Sequence, residues 1–182
     1  AEAITVYQRA IEIRPSYMAW SNLGTAYSGA ERFANAAEAY RKALAIDDSD
    51  WLVWGNLAYV YSWMGDQNEL ATETFERAID MAEAARKQDP RDAWAPSDLG
   101  LYYAKTGNSE LALQRSGTAI ALAPDSGEIY AAAAEVHELF GERDKAVEFA
   151  QKALELGYSR YQFQRNPETV DLIADPRLQT SF

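Results

Sequence analysis

Cysteine is missing from this 182-residue sequence, and histidine occurs once, as His137. Without thiols there is no disulfide, no thiol nucleophile and no thiolate metal site, and a lone histidine cannot supply a metal pair. Neither absence assigns a compartment. Long apolar runs are missing as well: nothing approaches the roughly 18 residues a spanning helix needs, so no direct membrane insertion is expected. The opening "AEAITVYQRA" lacks the basic-then-apolar order of a secretion signal. Basic charge is scarce, with 17 Lys and Arg against 28 Asp and Glu and a net charge of -11. That balance repels nucleic acid and anionic membranes and favours a basic partner.

Catalytic motifs are equally scarce. The sequence contains no Gly-x-Ser-x-Gly elbow, no GxxxxGK[ST] phosphate loop and no GxGxxG, and no segment alternates as a strand does. Asp47, Asp48 and Asp50 lack the glycine and terminal glutamate of a calcium loop and read as an acidic turn. Pairs such as Glu135 and Glu138 arise by chance among so many acids. No enzymatic activity, cofactor or metal is expected.

What the sequence does have is self-similarity. Apolar residues make up 48% and charged residues 25%, the composition of a folded globular chain. "WSNLGTAYS" (20–28) returns as "WGNLAYVYS" (54–62): Trp20, Asn22, Leu23 and Tyr27 recur 34 residues on as Trp54, Asn56, Leu57 and Tyr61. Each stretch is followed by a second amphipathic run, first Ala36, Tyr40 and Ala43, then Ala71, Phe75 and Ala78. A third copy has Leu99, Gly100, Tyr103, Gly107, Ala112, Ala119 and Pro124, and a fourth has Tyr130, Ala133, Ala134, Gly141, Ala146, Ala150 and Ala153. "AITVYQRAIEIRP" at the start matches only the second half of a unit. Apolar residues at i, i+3, i+4 and i+7 predict helices, paired through turns such as "MGDQN" and "TGNSE". Small residues let the pair approach and rings fill the wider gaps; neither helix buries its face alone.

With this spacing the chain resembles the tetratricopeptide repeat family. The fold expected is all-α, a right-handed superhelical solenoid of antiparallel helix pairs. Residues 1–16 read as the second helix of a truncated repeat, and 17–50, 51–91, 92–125 and 126–158 as full repeats. The step from Leu57 to Leu99 is 42 residues, and most of the excess falls in "MAEAARKQDP", which predicts a second helix about two turns longer. Residues 159–182 read as a C-terminal cap in which Asn166 and Asp175, each ahead of a proline, open two short helices. This ending, "GY", "NPE", "DPRL", resembles tetratricopeptide regions of bacterial multidomain serine/threonine kinases and nucleotide cyclases. A first residue other than Met points to processing or to a piece of something longer, and the opening half repeat predicts weak self-association.

The resemblance implies that first helices line a concave groove, with the residue before the family leucine pointing into it: Asn22, Asn56, Asp98 and Ala132. Its neighbours are Met18, Ser21 and Thr25, then Leu52, Tyr59 and Trp63, then Trp94, Leu101 and Lys105, then Glu128, Glu135 and Glu138. Asparagine offers both donor and acceptor, suited to gripping a peptide backbone. The wall changes from amide through aromatic to acidic, so a basic segment is the expected ligand. The chaperone-carboxylate clamp of the family wants cations or amides where this chain has Ser21, Thr25 and Asp98, so co-chaperone function of that kind is not expected. His137 falls at a tyrosine position and is expected to pack. The function expected is a non-catalytic protein-interaction module; the alternatives are a sensory or regulatory region of a larger bacterial signalling enzyme and a self-assembling scaffold. A bacterial cytoplasm and an extracytoplasmic region both remain open.

Overall fold

The computed structural model describes residues 2–179; residue 1 and residues 180–182, at the outer edges of the expected half repeat and cap, lie outside the described residues. Every regular element among the described residues is an α-helix. The chain divides into two compact units at the Met81–Ala82 bond.

The first unit holds α1 (Glu2–Ile13), α2 (Tyr17–Ser28), α3 (Phe33–Leu44), α4 (Trp51–Met64) and the first part of α5 (Asn68–Gln88). Ser16 opens α2 by accepting from the Ala19 N–H at 3.2 Å, and Asp50 opens α4 by accepting from the Leu52 N–H at 2.8 Å. Gly65 closes α4 at φ +77°, where a side chain is strained. The equivalent turn after α2 has Glu31 at φ +57°. Between α2 and α3, a Cβ on Gly24 would lie 2.6 Å from the Tyr40 ring, so the glycine is the seat of that ring. Tyr40 is buried, and its hydroxyl meets Thr25 Oγ1 at 3.1 Å. Burial pushes the Tyr40 hydroxyl up to about 12. Leu23, Tyr27, Ala36, Ala43, Leu57 and Tyr61 complete this core.

The recurring tryptophans lie at its rim, each under a cation: Lys42 Nζ is 4.6 Å from the Trp20 ring centre, and the Arg77 guanidinium is 5.9 Å from that of Trp54. Such pairs contribute about 0.5–1 kcal/mol at exposed sites. Trp54 also donates its Nε1 hydrogen to the Asp48 carbonyl at 2.9 Å, so the aspartate turn serves the tryptophan through its backbone.

The second unit takes the end of α5 and then α6 (Trp94–Lys105), α7 (Ser109–Leu122), α8 (Gly127–Leu139) and α9 (Arg143–Glu155). Three short helices follow, α10 (Arg160–Arg165), α11 (Val170–Ile173) and α12 (Pro176–Gln179), where two were expected. Ser159 caps the additional one by accepting from the Tyr161 N–H. Asn166 makes a turn, accepting from the Glu168 N–H at 2.9 Å, and α11 begins only at Val170. Phe163, Leu172, Ile173 and Leu178 join the core of α8 and α9 with Ala131, Ala134, Ala146, Ala150 and Ala153. Arg160 staples the segment to itself by donating to the Ile173 and Leu178 carbonyls. At 21 residues, α5 is the long helix expected from the spacing. Near its end Glu83 receives Arg86 and Arg115, each at 2.8 Å, and the Tyr103 hydroxyl.

Candidate functional site

In the first unit the expected residues fall on α2 and α4, which pack against each other. Asn22 and Asn56 occupy the same repeat position and are both exposed. Met18 and Leu52, one turn earlier on the same faces, are 67% and 44% exposed, leaving apolar surface beside each amide. Thr25 is exposed as a residue, yet its hydroxyl is engaged by Tyr40 and by the Ser21 carbonyl.

Tyr59 and Trp63 follow Asn56 along α4 at i+3 and i+7 and are half-buried in a run of rings. Tyr59 meets Phe75 edge-on at 5.2 Å and Trp63 at 5.5 Å, while Trp63 meets Phe33 at 5.5 Å. Both rings are therefore held by the fold while keeping part of their surface accessible. This aromatic ladder gives α4 a rigid, amphipathic strip of the kind that anchors protein contacts at little entropic cost.

In the second unit α6 and α8 lie side by side. Trp94 is 53% exposed at the start of α6, where Asp92 accepts from the Trp94 and Ala95 N–H groups. Asp98 is half-buried. Leu101 packs with Tyr103, Leu113 and Leu139 against Ala104, Ala112 and Val136, more core than wall.

The acidic residues behave differently from one another. Glu128 is exposed and accepts from the Ser126 hydroxyl. Glu135 is buried at 6% exposure and receives the Asn166 amide at 2.6 Å. Glu138 pairs with Arg143 at 2.6 Å through one oxygen, while its Oε2 is buried without a hydrogen bond among the described residues. Burial pushes the Glu138 carboxyl up, Arg143 opposes the shift, and Asp171 and Asp175 add to it. Glu135 and Glu138 are thus engaged within the second unit. Lys105, at the end of α6, binds Glu168. Sequence reasoning missed both Asn166 and Glu168 as partners of the groove positions.

His137 is buried, stacked on Phe149 at 5.0 Å, with Nδ1 2.6 Å from a Glu142 oxygen. Among the described residues no group of three or more His, Cys, Asp or Glu side chains is placed to hold a metal ion, and no helix is long and apolar enough to cross a membrane.

Comparison with known proteins bears on this geometry. Sequence profiles described as tetratricopeptide repeat match residues 17–50, 52–125 and 97–159. Protein O-mannosyl-transferase TMTC3 of Homo sapiens is 33% identical over 81 residues, 44% of this chain and 9% of its own length. Superkiller protein 3 of Schizosaccharomyces pombe is 34% identical over 79 residues, 43% of this chain and 6% of its own length. The chain thus spans less than a tenth of these curated relatives.

Among solved structures, a thermophilic tetratricopeptide repeat protein of Thermus thermophilus superposes with a TM-score of 0.66 at 25% identity, covering 98% of this chain and 88% of that one. The pilF protein of Pseudomonas aeruginosa gives 0.54 at 26% identity, covering 88% and 69%. Across residues 17–159, the recurring interlock, the helix pairs and the matching profiles place this chain in the tetratricopeptide repeat family.

Proposed function

We propose that the chain is a non-catalytic module that holds an extended segment of another protein along the first-helix faces of its repeats, with Asn22 and Asn56 gripping the ligand backbone. One observation carries this reading. The same amide recurs at the same position of α2 and α4, exposed in both and outside the interlock that the repeat needs for stacking. An amide that donates and accepts at each step matches the alternating groups of an extended backbone without reading its sequence.

Side-chain preference comes from the surroundings. Exposed Met18 and Leu52 beside the two amides, with Tyr59 and Trp63 further along α4, favour apolar or aromatic residues on the ligand. The net charge of -11 draws a segment that is basic elsewhere and speeds its approach at low salt. Because Glu135 and Glu138 are engaged internally, that attraction is long-range rather than a contact with either.

Calorimetric titration of a partner identified by pull-down tests the reading. Asn56→Ala removes hydrogen bonds contributing about 1 kcal/mol, so affinity should fall several-fold. The melting temperature should stay where it is, because the side chain is exposed. Full affinity in Asn56→Ala and in Asn22→Ala would place the binding surface elsewhere.

A further inference from the structure

The turn between α10 and α11 does something that closing the end of a repeat stack does not require. Its apolar neighbours Phe163, Leu172, Ile173 and Leu178 already bury the end of the α8–α9 pair. Residues 166–168 instead send two polar side chains onto first helices. The Asn166 amide donates to Glu135 on α8, and the Glu168 carboxylate receives Lys105 from α6. Lys105 and Glu135 are both groove positions of their repeats.

The turn is built to present this pair. Pro167 restricts the backbone between them, and Asn166 Oδ1 accepts from the Glu168 N–H. The buried Thr169 hydroxyl anchors the far side by donating to the Phe163 carbonyl at 3.0 Å. An amide donor and a carboxylate two residues apart are thus held against a carboxylate and an ammonium on neighbouring helices.

We infer that the face of α6 and α8 bearing Lys105 and Glu135 is a recognition surface for a short turn presenting an amide donor and a carboxylate two residues apart, and that residues 166–168 are its resident, displaceable occupant. The partner is a protein segment of that chemistry. It is acidic where it meets Lys105, unlike the basic segment attracted to the chain as a whole. Displacement breaks the charge-assisted contacts of Asn166 with Glu135 and of Glu168 with Lys105, while Phe163, Leu172, Ile173 and Leu178 hold the rest of the C-terminal segment against α8 and α9. This rests on the reading that first-helix faces bind partners.

The test uses an isotope-labelled full chain titrated with a blocked heptapeptide of residues 164–170 and followed by NMR. An Asn166→Ala/Glu168→Ala variant removes both resident polar groups while leaving the four apolar anchors in place. The peptide should give saturable shifts at the Lys105 and Glu135 amides of this variant. Wild type should bind about tenfold or more weakly, because only the fraction with the turn released is competent. Adding Lys105→Ala should abolish the shifts. If the double variant fails to fold, Glu168→Gln carries the same comparison. Equal affinity for wild type and variant would overturn the inference, as would no saturable shift at Lys105. Shifts confined to Asn22 and Asn56 would overturn it while leaving the first unit's groove standing. Saturation at Lys105, together with full partner affinity in Asn56→Ala and Asn22→Ala, would sink the backbone-grip reading and leave this one.

Discussion

The two units solve the same repeat in opposite ways. In the first, α2 offers Gly24 and α3 fills the space with the Tyr40 ring; one repeat on, Ala58 and Phe75 occupy the corresponding positions. In the second unit those pairs become Gly100 with Ser116, then Ala134 with Ala150. With no ring to seat, the helices close up. A Cβ on Gly100 would lie 3.3 Å from the Ala112 carbonyl and the Ser116 nitrogen, and one on Gly127 would lie 3.0 Å from the Ala153 carbonyl. The rim departs in the third repeat alone, the fourth keeping a ring and a cation in Tyr130 and Lys152. Trp20 and Trp54 lie under Lys42 and Arg77 in the first unit, whereas the third repeat has Pro96 and Thr118 at those positions, losing ring and cation together. The 34-residue spacing therefore specifies where helices meet, not what fills the contact: a ring in one unit, backbone in the other.

The largest expected effect breaks the first arrangement. Tyr40→Ala should cost about 3–5 kcal/mol, since the vacated space over Gly24 collapses only partly. Hydrogen exchange should rise within the first unit and change little in residues 90–179. Ser116→Ala, at the matching position, should cost under about 1 kcal/mol because little volume is lost. Equal losses would mean that the units share one packing mode.

Next in size is the glycine comparison. Gly24→Ala forces the Tyr40 ring to move and should cost about 1–3 kcal/mol in thermal melts. The 3.3 Å contacts at Gly100 require a smaller shift but oblige a backbone to make it, so Gly100→Ala should fall at or below the lower end of that range.

Acid dependence sharpens the comparison inside the second unit, where two glutamates have opposite signs. Burial pushes Glu83 up, but hydrogen bonds and charge from Arg86 and Arg115 more than reverse this, leaving its carboxyl below the usual range. Its folded-state value is depressed, so its contribution is present above the unfolded carboxylate range and is lost as pH falls through the folded value. Glu138 is raised, so its protonated form is the one folding favours, and that contribution is lost as pH rises through the folded value. Melting curves of Glu83→Gln should show reduced stability at neutral pH and a shallower acid loss. Glu138→Gln should match or exceed wild type at neutral pH and lose any advantage in acid. The smallest effect on stability is that of Asn56→Ala, within about 0.5 kcal/mol, as for any exposed side chain outside the interlock.

Much of the architecture was legible because it repeats. Trp20, Leu23, Gly24 and Tyr27 return in phase, and the extra length of α5 shows as a slipped register before Pro90. The helix α10 was not legible, since "RYQFQR" carries a single buried anchor, Phe163, and so has no periodicity to detect. The proposed site was legible in part. Asn22 and Asn56 announce themselves by recurring where packing needs nothing. The engagement of Glu135 by Asn166 and of Lys105 by Glu168 left no local signal, because those contacts span 31 and 63 residues and exist only once the C-terminal segment is folded back.

That separation of 63 residues is also a delay. A ribosome adding about 5–20 residues per second needs about 3–13 s to travel from Lys105 to Glu168. Helical pairs with short turns form in microseconds to milliseconds, so α6 can fold against α7, and then α8 against α9, well before the turn that covers them has been made. The proposed Lys105–Glu135 face is complete once α9 has been made to Glu155, 13 residues and about 0.7–2.6 s ahead of Glu168, and a partner already present would meet it in that interval without having to displace anything.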